Sequence, residues 1–162
     1  MRILNTAEMR LAEAAANERG VSYEQLMENA GQKAAQCIVS HFSPCRIVFL
    51  CGKGNNAGDG LVMARLLTTK GFDCTVSFLC GESLSPLATL NRERLPKQVK
   101  QTVSLQQAID ACKSAELLVD GVFGIGFHGA LPAEITAVFE TANRLNAHRI
   151  ALDLPSGLNA DT

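Results

Sequence analysis

Three short stretches of this chain carry the residue types that chemistry needs. Gly52–Gly60 reads GKGNNAGDG and puts Asn55, Asn56 and Asp59 within five positions, set between glycines. Asp120–Leu131 reads DGVFGIGFHGAL, a carboxylate followed by a second glycine-rich run. Asp153–Asp161 reads DLPSGLNAD, with a carboxylate three residues ahead of Ser156. Glycines let a backbone approach a ligand and adopt positive φ. A glycine-rich turn that opens a helix aims amide N–H groups and the helix dipole at an anion, a phosphate first of all. Gly52-x-Gly54-x-x-Ala57 meets the loose form of the dinucleotide fingerprint, and Gly124-x-Gly126-x-x-Gly129 meets the strict form. Taken singly, each is also what a tight strand-to-helix turn requires. The acid that should close the fingerprint is only loosely met, because Asp73 comes early and Glu82 late. No G-x-x-x-x-G-K-[ST] run exists, which disfavours a P-loop kinase.

Asp120 and Asp153 sit at the ends of apolar runs. A carboxylate placed there must be paired, hydrogen-bonded or bound to a cation. The plainer alternatives are caps, Asp120 on the glycine loop and Asp153 on the Pro155-Ser156-Gly157 turn. Lys53 suits a phosphate and solvent equally. His128 has no spaced His or Cys partner, so it reads as a loop residue rather than a metal ligand or base.

The elements that position these stretches follow from periodicity. Asn5 with Glu8, and Ser22 with Gln25, predict two leading helices, the first stopped near Gly20. In the second, Leu26, Met27, Ala30, Ala34, Cys37 and Ile38 mark the apolar face. Strands are expected at Arg46–Cys51, Asp73–Cys80, Val99–Val103, Glu116–Phe123 and His148–Leu154. Helices are expected between them: from about Gly58 to Lys70, from Pro86 to about Leu95, over Ser104–Lys113, and from Pro132. Buried strands alternating with amphipathic helices imply an α/β fold, a mostly parallel sheet in a three-layer α/β/α, Rossmann-like arrangement. In such sheets ligands sit beyond the carboxyl ends of the strands, where all three stretches fall.

At 162 residues the chain has the length of one domain. Apolar residues make up 47% and charged residues 19%, which excludes intrinsic disorder. The net charge of -1 gives no basic surplus for nucleic acid, and aromatics at 5% with no Trp argue against base-stacking platforms. No stretch approaches the ~20 apolar residues of a membrane span. The first twenty residues carry Glu8, Glu13 and Glu18 and do not form a secretory signal. The six cysteines are therefore expected as free, buried thiols in a reducing, cytoplasmic setting.

GKGNNAGDG, VDGVFGIG and ALDLPSGLNADT, in this order after NTAEMRLAEAAANERGVSYEQLMENAG, resemble the YjeF N-terminal domain family over the whole chain. The resemblance implies an epimerase that interconverts the R and S forms of hydrated NADH and NADPH (NADHX and NADPHX). It implies a potassium ion held by Asn56, Asp120 and Ser156, and a homodimer. It also implies a partnership with an ATP- or ADP-dependent dehydratase, fused or separate. Substrate contacts carry over to Asn55, Asn56, Ala57, Gly58 and Asp59, to Gly124, Ile125, Gly126, Phe127, His128, Gly129 and Ala130, and to Asp153. Asp153 is also the expected catalytic acid and base. The chain departs from its relatives at Ala57, where many have Gly, and in Phe127-His128-Gly129. Relatives continue through further strands, so residues 1–162 are expected to be one domain shortened at its C-terminus. The alternatives are a non-catalytic nucleotide-binding or scaffold module of the same fold, and an ordinary dehydrogenase domain. Binding without conversion would mark the first, and tight binding of intact NAD the second.

Overall fold

The structure is a computed structural model and describes residues 4–160; Asp161 and Thr162, the end of the third stretch, lie outside the described residues. Capping side chains set most of the helix starts. In α1 (Thr6–Glu18), Asn5 Oδ1 accepts from Glu8 N at 2.9 Å while Glu8 Oε2 accepts from Asn5 N at 3.1 Å, a reciprocal capping box. In α2 (Tyr23–His41), Ser22 Oγ accepts from Gln25 N, but the Gln25 side chain turns to Asn29 Oδ1, so this cap is one-sided. Ser85 and Ser104 cap α4 (Pro86–Glu93) and α5 (Leu105–Ser114) in the same way. α6 (Ala133–Arg144) follows Pro132 without a side-chain cap.

The strands are β1 (Arg46–Cys51), β2 (Asp73–Phe78), β3 (Lys100–Thr102), β4 (Leu117–Gly121) and β5 (His148–Ala151). All pair in parallel, in the order β3-β2-β1-β4-β5. The chain runs outward from β1 to β3 and then crosses back to β4, so β1 and β4 flank the point where the winding reverses. Alternate residues of β1 serve opposite faces. Ile47, Phe49 and Cys51 join a core with Leu61, Met63 and Leu67 of α3 (Asn55–Thr68) and Ile38 of α2. Val48 and Leu50 join a second core with Ala108, Cys112, Ile135 and Val138 from α5 and α6. This is the expected three-layer arrangement. β1 has its expected bounds, whereas β2, β3, β4 and β5 end earlier than expected, because ladder pairing stops where neighbours turn away. The last β1–β4 pair is Cys51 with Gly121.

Two expectations need correction. The buried face of α2 is Met27, Gly31, Ala35 and Ile38, whereas Ala30 and Cys37 are exposed. The cause is Gly31. A Cβ there would lie 2.6 Å from the Val62 side chain, so the missing side chain lets α2 close on α3 and fixes its rotation. The six cysteines are free, but only Cys51, Cys74 and Cys112 are buried. Among the described residues, no helix is long and apolar enough to cross a membrane.

Candidate active site

GKGNNAGDG does not precede a helix as a loop; most of it is the first turn and a half of α3. The helix begins at Asn55, with Gly54 as a cap that offers no side chain. Ala57 and Gly58 point inward, Ala57 into the core and Gly58 against Met27, so only their backbone can face a ligand. The exposed Asn55 accepts from Ser85 Oγ at 2.8 Å, and Ser85 N donates to Lys53 O, which pins the start of α4 to the start of α3. Asn56 turns the other way. Its Nδ2 is buried with no hydrogen-bond partner among the described residues.

The strand ends meet Asn56. A Cβ on Gly124 would lie 2.5 Å from Asp153 Oδ2 and 3.5 Å from Asn56 Cγ, so these three residues converge only because position 124 is glycine. A Cβ on Gly121 would lie 3.3 Å from Asn56 O. Asp153 Oδ2 accepts from Ile125 N at 2.7 Å, while Asp153 itself has φ +63. Asp and Asn tolerate that left-handed region better than most residues do.

Asp120 ties the second stretch to the third. Its Oδ1 accepts from Val122 N at 3.1 Å and Ser156 Oγ at 2.6 Å, and its Oδ2 accepts from Ser156 N at 2.7 Å. Ser156 Oγ in turn accepts from Phe123 N at 2.9 Å. Burial raises the Asp120 carboxyl above its ordinary range, and the bonds from Ser156 and Val122 oppose that rise. The capping role and the strand-end cluster expected for Asp120 are thus one arrangement. Phe127 packs on Phe123 with ring centroids 4.3 Å apart. His128, Gly129 and Ala130 are exposed, and no described contact links them to the Asp120–Asp153 cluster.

Asp59 lies one helical turn beyond Asn56, on the same side of α3. Its carboxyl is pushed up to about 7, first by burial and then by the negative charges of Asp153 and of Glu13 on α1. The sequence offered Asp59 as a substrate contact and gave no sign of this acidity. The signal available was its three-residue spacing from Asn56, had the helix been read to start at Asn55.

The raised value has a stability consequence with a definite sign. Between the ordinary 3.8 and about 7, the folded chain holds a proton that the unfolded chain releases. Stability from this group is therefore full below about pH 4 and is lost as pH rises towards 7. Asp59→Asn should melt higher than the parent at pH 8 and level with it at pH 4. Thermal denaturation across that range checks this, and a gap independent of pH would contradict it.

An open parallel sheet in the order 3-2-1-4-5, with glycine turns and two carboxylates at its switch point, defines a Rossmann-like α/β/α domain. The crystal structure of yeast ynu0 has the same fold, with a TM-score of 0.85 at 22% identity over all of this chain and 74% of its own. The chain belongs to the family described as YjeF-related protein N-terminus, whose model matches residues 23–162. It is 38% identical to the bifunctional NAD(P)H-hydrate repair enzyme Nnr of Moorella thermoacetica, over all of this chain and 33% of that protein. It is 33% identical to the NAD(P)H-hydrate epimerase of Elusimicrobium minutum, over all of this chain and 78% of that one. The epimerase of Leuconostoc citreum is 32% identical, with 72% of its length covered. The chain thus spans about a third of the bifunctional relatives it matches, and more than two thirds of these epimerases.

Proposed function

We propose that this chain is an NAD(P)H-hydrate epimerase, an isomerase that interconverts the R and S forms of NADHX and NADPHX. The observation that carries the reading is the convergence of Asp153, Gly124 and Asn56 at the switch point. The names of the relatives support the same activity. In the substrate, the hydroxyl-bearing ring carbon neighbours the ring nitrogen. The nitrogen lone pair forms a C=N bond as the C–O bond breaks, and the hydroxyl leaves as water with a proton from a carboxyl group. Water then adds to the opposite face, the electron pair returns to nitrogen, and the proton returns to the carboxylate. Asp153 handles that proton at Oδ1, because Oδ2 is held by Ile125 N. Asp59, poised near neutrality, keeps the pocket able to hold a proton beside Asp153. The glycine turns bring backbone N–H groups within reach of the phosphates.

Potassium belongs to the same reading. Asn56, Asp120 and Ser156 would hold it through amide, carboxylate and hydroxyl oxygens, the donor set of a hard cation. The unpartnered Asn56 Nδ2 supports this, since a carboxamide turned over would present its oxygen there. Among the described residues no group of three or more His, Cys, Asp or Glu is placed to hold a metal ion. When bound, the ion supplies a fixed positive charge beside Asp120.

A homodimer is part of the proposal, supported by the apolar side chains left exposed on and after α1, among them Leu11, Val21 and Tyr23. So are a cytoplasmic setting, which the free cysteines suit, and a companion ATP- or ADP-dependent dehydratase. In the test, one pure epimer is supplied and the other is followed by chromatography, first in potassium and then in tetramethylammonium. Conversion in potassium and a fall of roughly tenfold or more without it are expected. Binding without conversion would instead mark a nucleotide-binding scaffold.

A further inference from the structure

α1 buries only Thr6, yet one of its faces is turned to the site. Thr6, Arg10 and Glu13 are spaced i, i+4 and i+7, which places them on one side of the helix. Thr6 Oγ1 donates to Ile125 O at 3.4 Å. Arg10 Nη2 lies 3.5 Å from the Cβ that Gly126 lacks. Glu13 is close enough for its charge to act on Asp59. The helix therefore runs along the rim from the second glycine stretch to the first turn of α3.

We propose that the Arg10 guanidinium is a substrate-binding group that holds a phosphate of the dinucleotide over the Gly124–Gly126 turn. The inference rests on the epimerase reading and adds a residue and an element to it. Arg46, Arg65, Arg92, Arg94 and Arg144 each meet a carboxylate. Arg10 and Arg19 meet none among the described residues and Arg149 bonds only to carbonyls, but Arg10 stands beside the Gly124–Gly126 turn with its N–H donors unspent. The surroundings are rich in carboxyl groups. Asp59, Asp120, Asp153 and Glu13 gather acidic groups at this end of the sheet, and a pyrophosphate brings further negative charge. A planar guanidinium can bind a phosphate through two parallel hydrogen bonds. A Cβ at Gly126 would sit in ordinary van der Waals contact with Arg10 Nη2, at 3.5 Å, which places the guanidinium directly beside this turn.

The phosphate could be the pyrophosphate, common to both substrates, or the 2′-phosphate carried by NADPHX alone. Epimerisation kinetics of the parent, Arg10→Gln and Arg10→Lys with each substrate separate the two. Arg10→Gln should raise KM roughly 10–100-fold, the size of a lost charge-assisted hydrogen bond, with kcat changed less than about threefold. Arg10→Lys should recover part of the loss. Equal effects on both substrates locate the contact at the pyrophosphate, and an effect on NADPHX alone locates it at the 2′-phosphate. Arg19→Gln, at the far end of α1, should behave as the parent. An unchanged KM in Arg10→Gln overturns the proposal. Calorimetry with ADP-ribose and with NADP⁺ gives a reading independent of turnover. If the parent binds them without epimerising, the catalytic reading fails, and weaker binding by Arg10→Gln still supports the contact. Equal binding by the two, or no binding by the parent, overturns it.

Discussion

Asp153→Asn should lower the rate of epimer interconversion by about 10²–10⁴-fold while leaving KM and the melting temperature near those of the parent. The size is that of a lost general acid–base group. The expected structural silence has two causes. Asparagine tolerates the left-handed backbone at φ +63, so no strain is introduced. Its side-chain oxygen can still accept from Ile125 N, so the second glycine stretch stays tied to the third. What the variant loses is the carboxyl proton. Asp153→Ala, by contrast, would remove the tie as well and confuse a structural effect with a chemical one. Steady-state kinetics on the asparagine variant, with a melting curve beside them, isolate the chemistry. A rate within threefold of the parent would move the proton-handling role elsewhere, with Asp59 the first candidate.

Gly52→Ala should be the most damaging single methyl group at this end of the sheet. Gly52 follows β1, and its N–H donates to Gly121 O at 3.3 Å. A Cβ there would lie 3.0 Å from the Val122 carbonyl carbon and would overlap its oxygen. That neighbour is backbone, so it cannot rotate aside. Relief requires separating the ends of β1 and β4, the pair of strands that carries the first and second stretches. The expected cost is about 3 kcal/mol, the upper part of the range for overpacking. For a chain of this length that is a fall in melting temperature of roughly 6–12 °C. Gly54→Ser is the control. Its Cβ would meet nothing within 4 Å, and serine is a favoured N-cap, so the melting temperature should hold or rise slightly. Equal melting of Gly52→Ala and the parent would refute the close approach.

These two variants show which parts of the molecule the sequence made legible. The strands were readable because RIVFLC and its counterparts are continuous apolar runs, and such runs are what a sheet covered on both faces needs. The strand-end rule placed Asp120 and Ser156 at one edge of the sheet, while their grouping was implied only by the family resemblance. The start of α3 was hidden. Asn-Asn-Ala-Gly-Asp-Gly has poor helix propensity apart from Ala57, and it is helical because Ala57 and Gly58 fit against the core and Met27. With the helix start misplaced, the alignment of Asn56 with Asp59 was invisible. So was the raised pKa of Asp59, which depends on burial and on charges delivered by Asp153, just past β5, and by Glu13 on α1. The rotation of α2 was missed for a related reason, since Gly31 acts by what it lacks. α1 was readable as a helix from Asn5 and Glu8 but not as a rim of the site, because its polar face acquires meaning only beside Ile125 and Gly126.

The proposed epimerisation exchanges the configuration of the hydroxyl-bearing ring carbon by releasing and re-adding water. The most direct measurement supplies one pure NADHX epimer in ¹⁸O-labelled water with potassium present, and follows the other epimer by chromatography and mass spectrometry. The second epimer should form well above the rate without protein and carry one ¹⁸O at the ring hydroxyl. A second epimer that retains its original oxygen, or none above the uncatalysed rate, would contradict it.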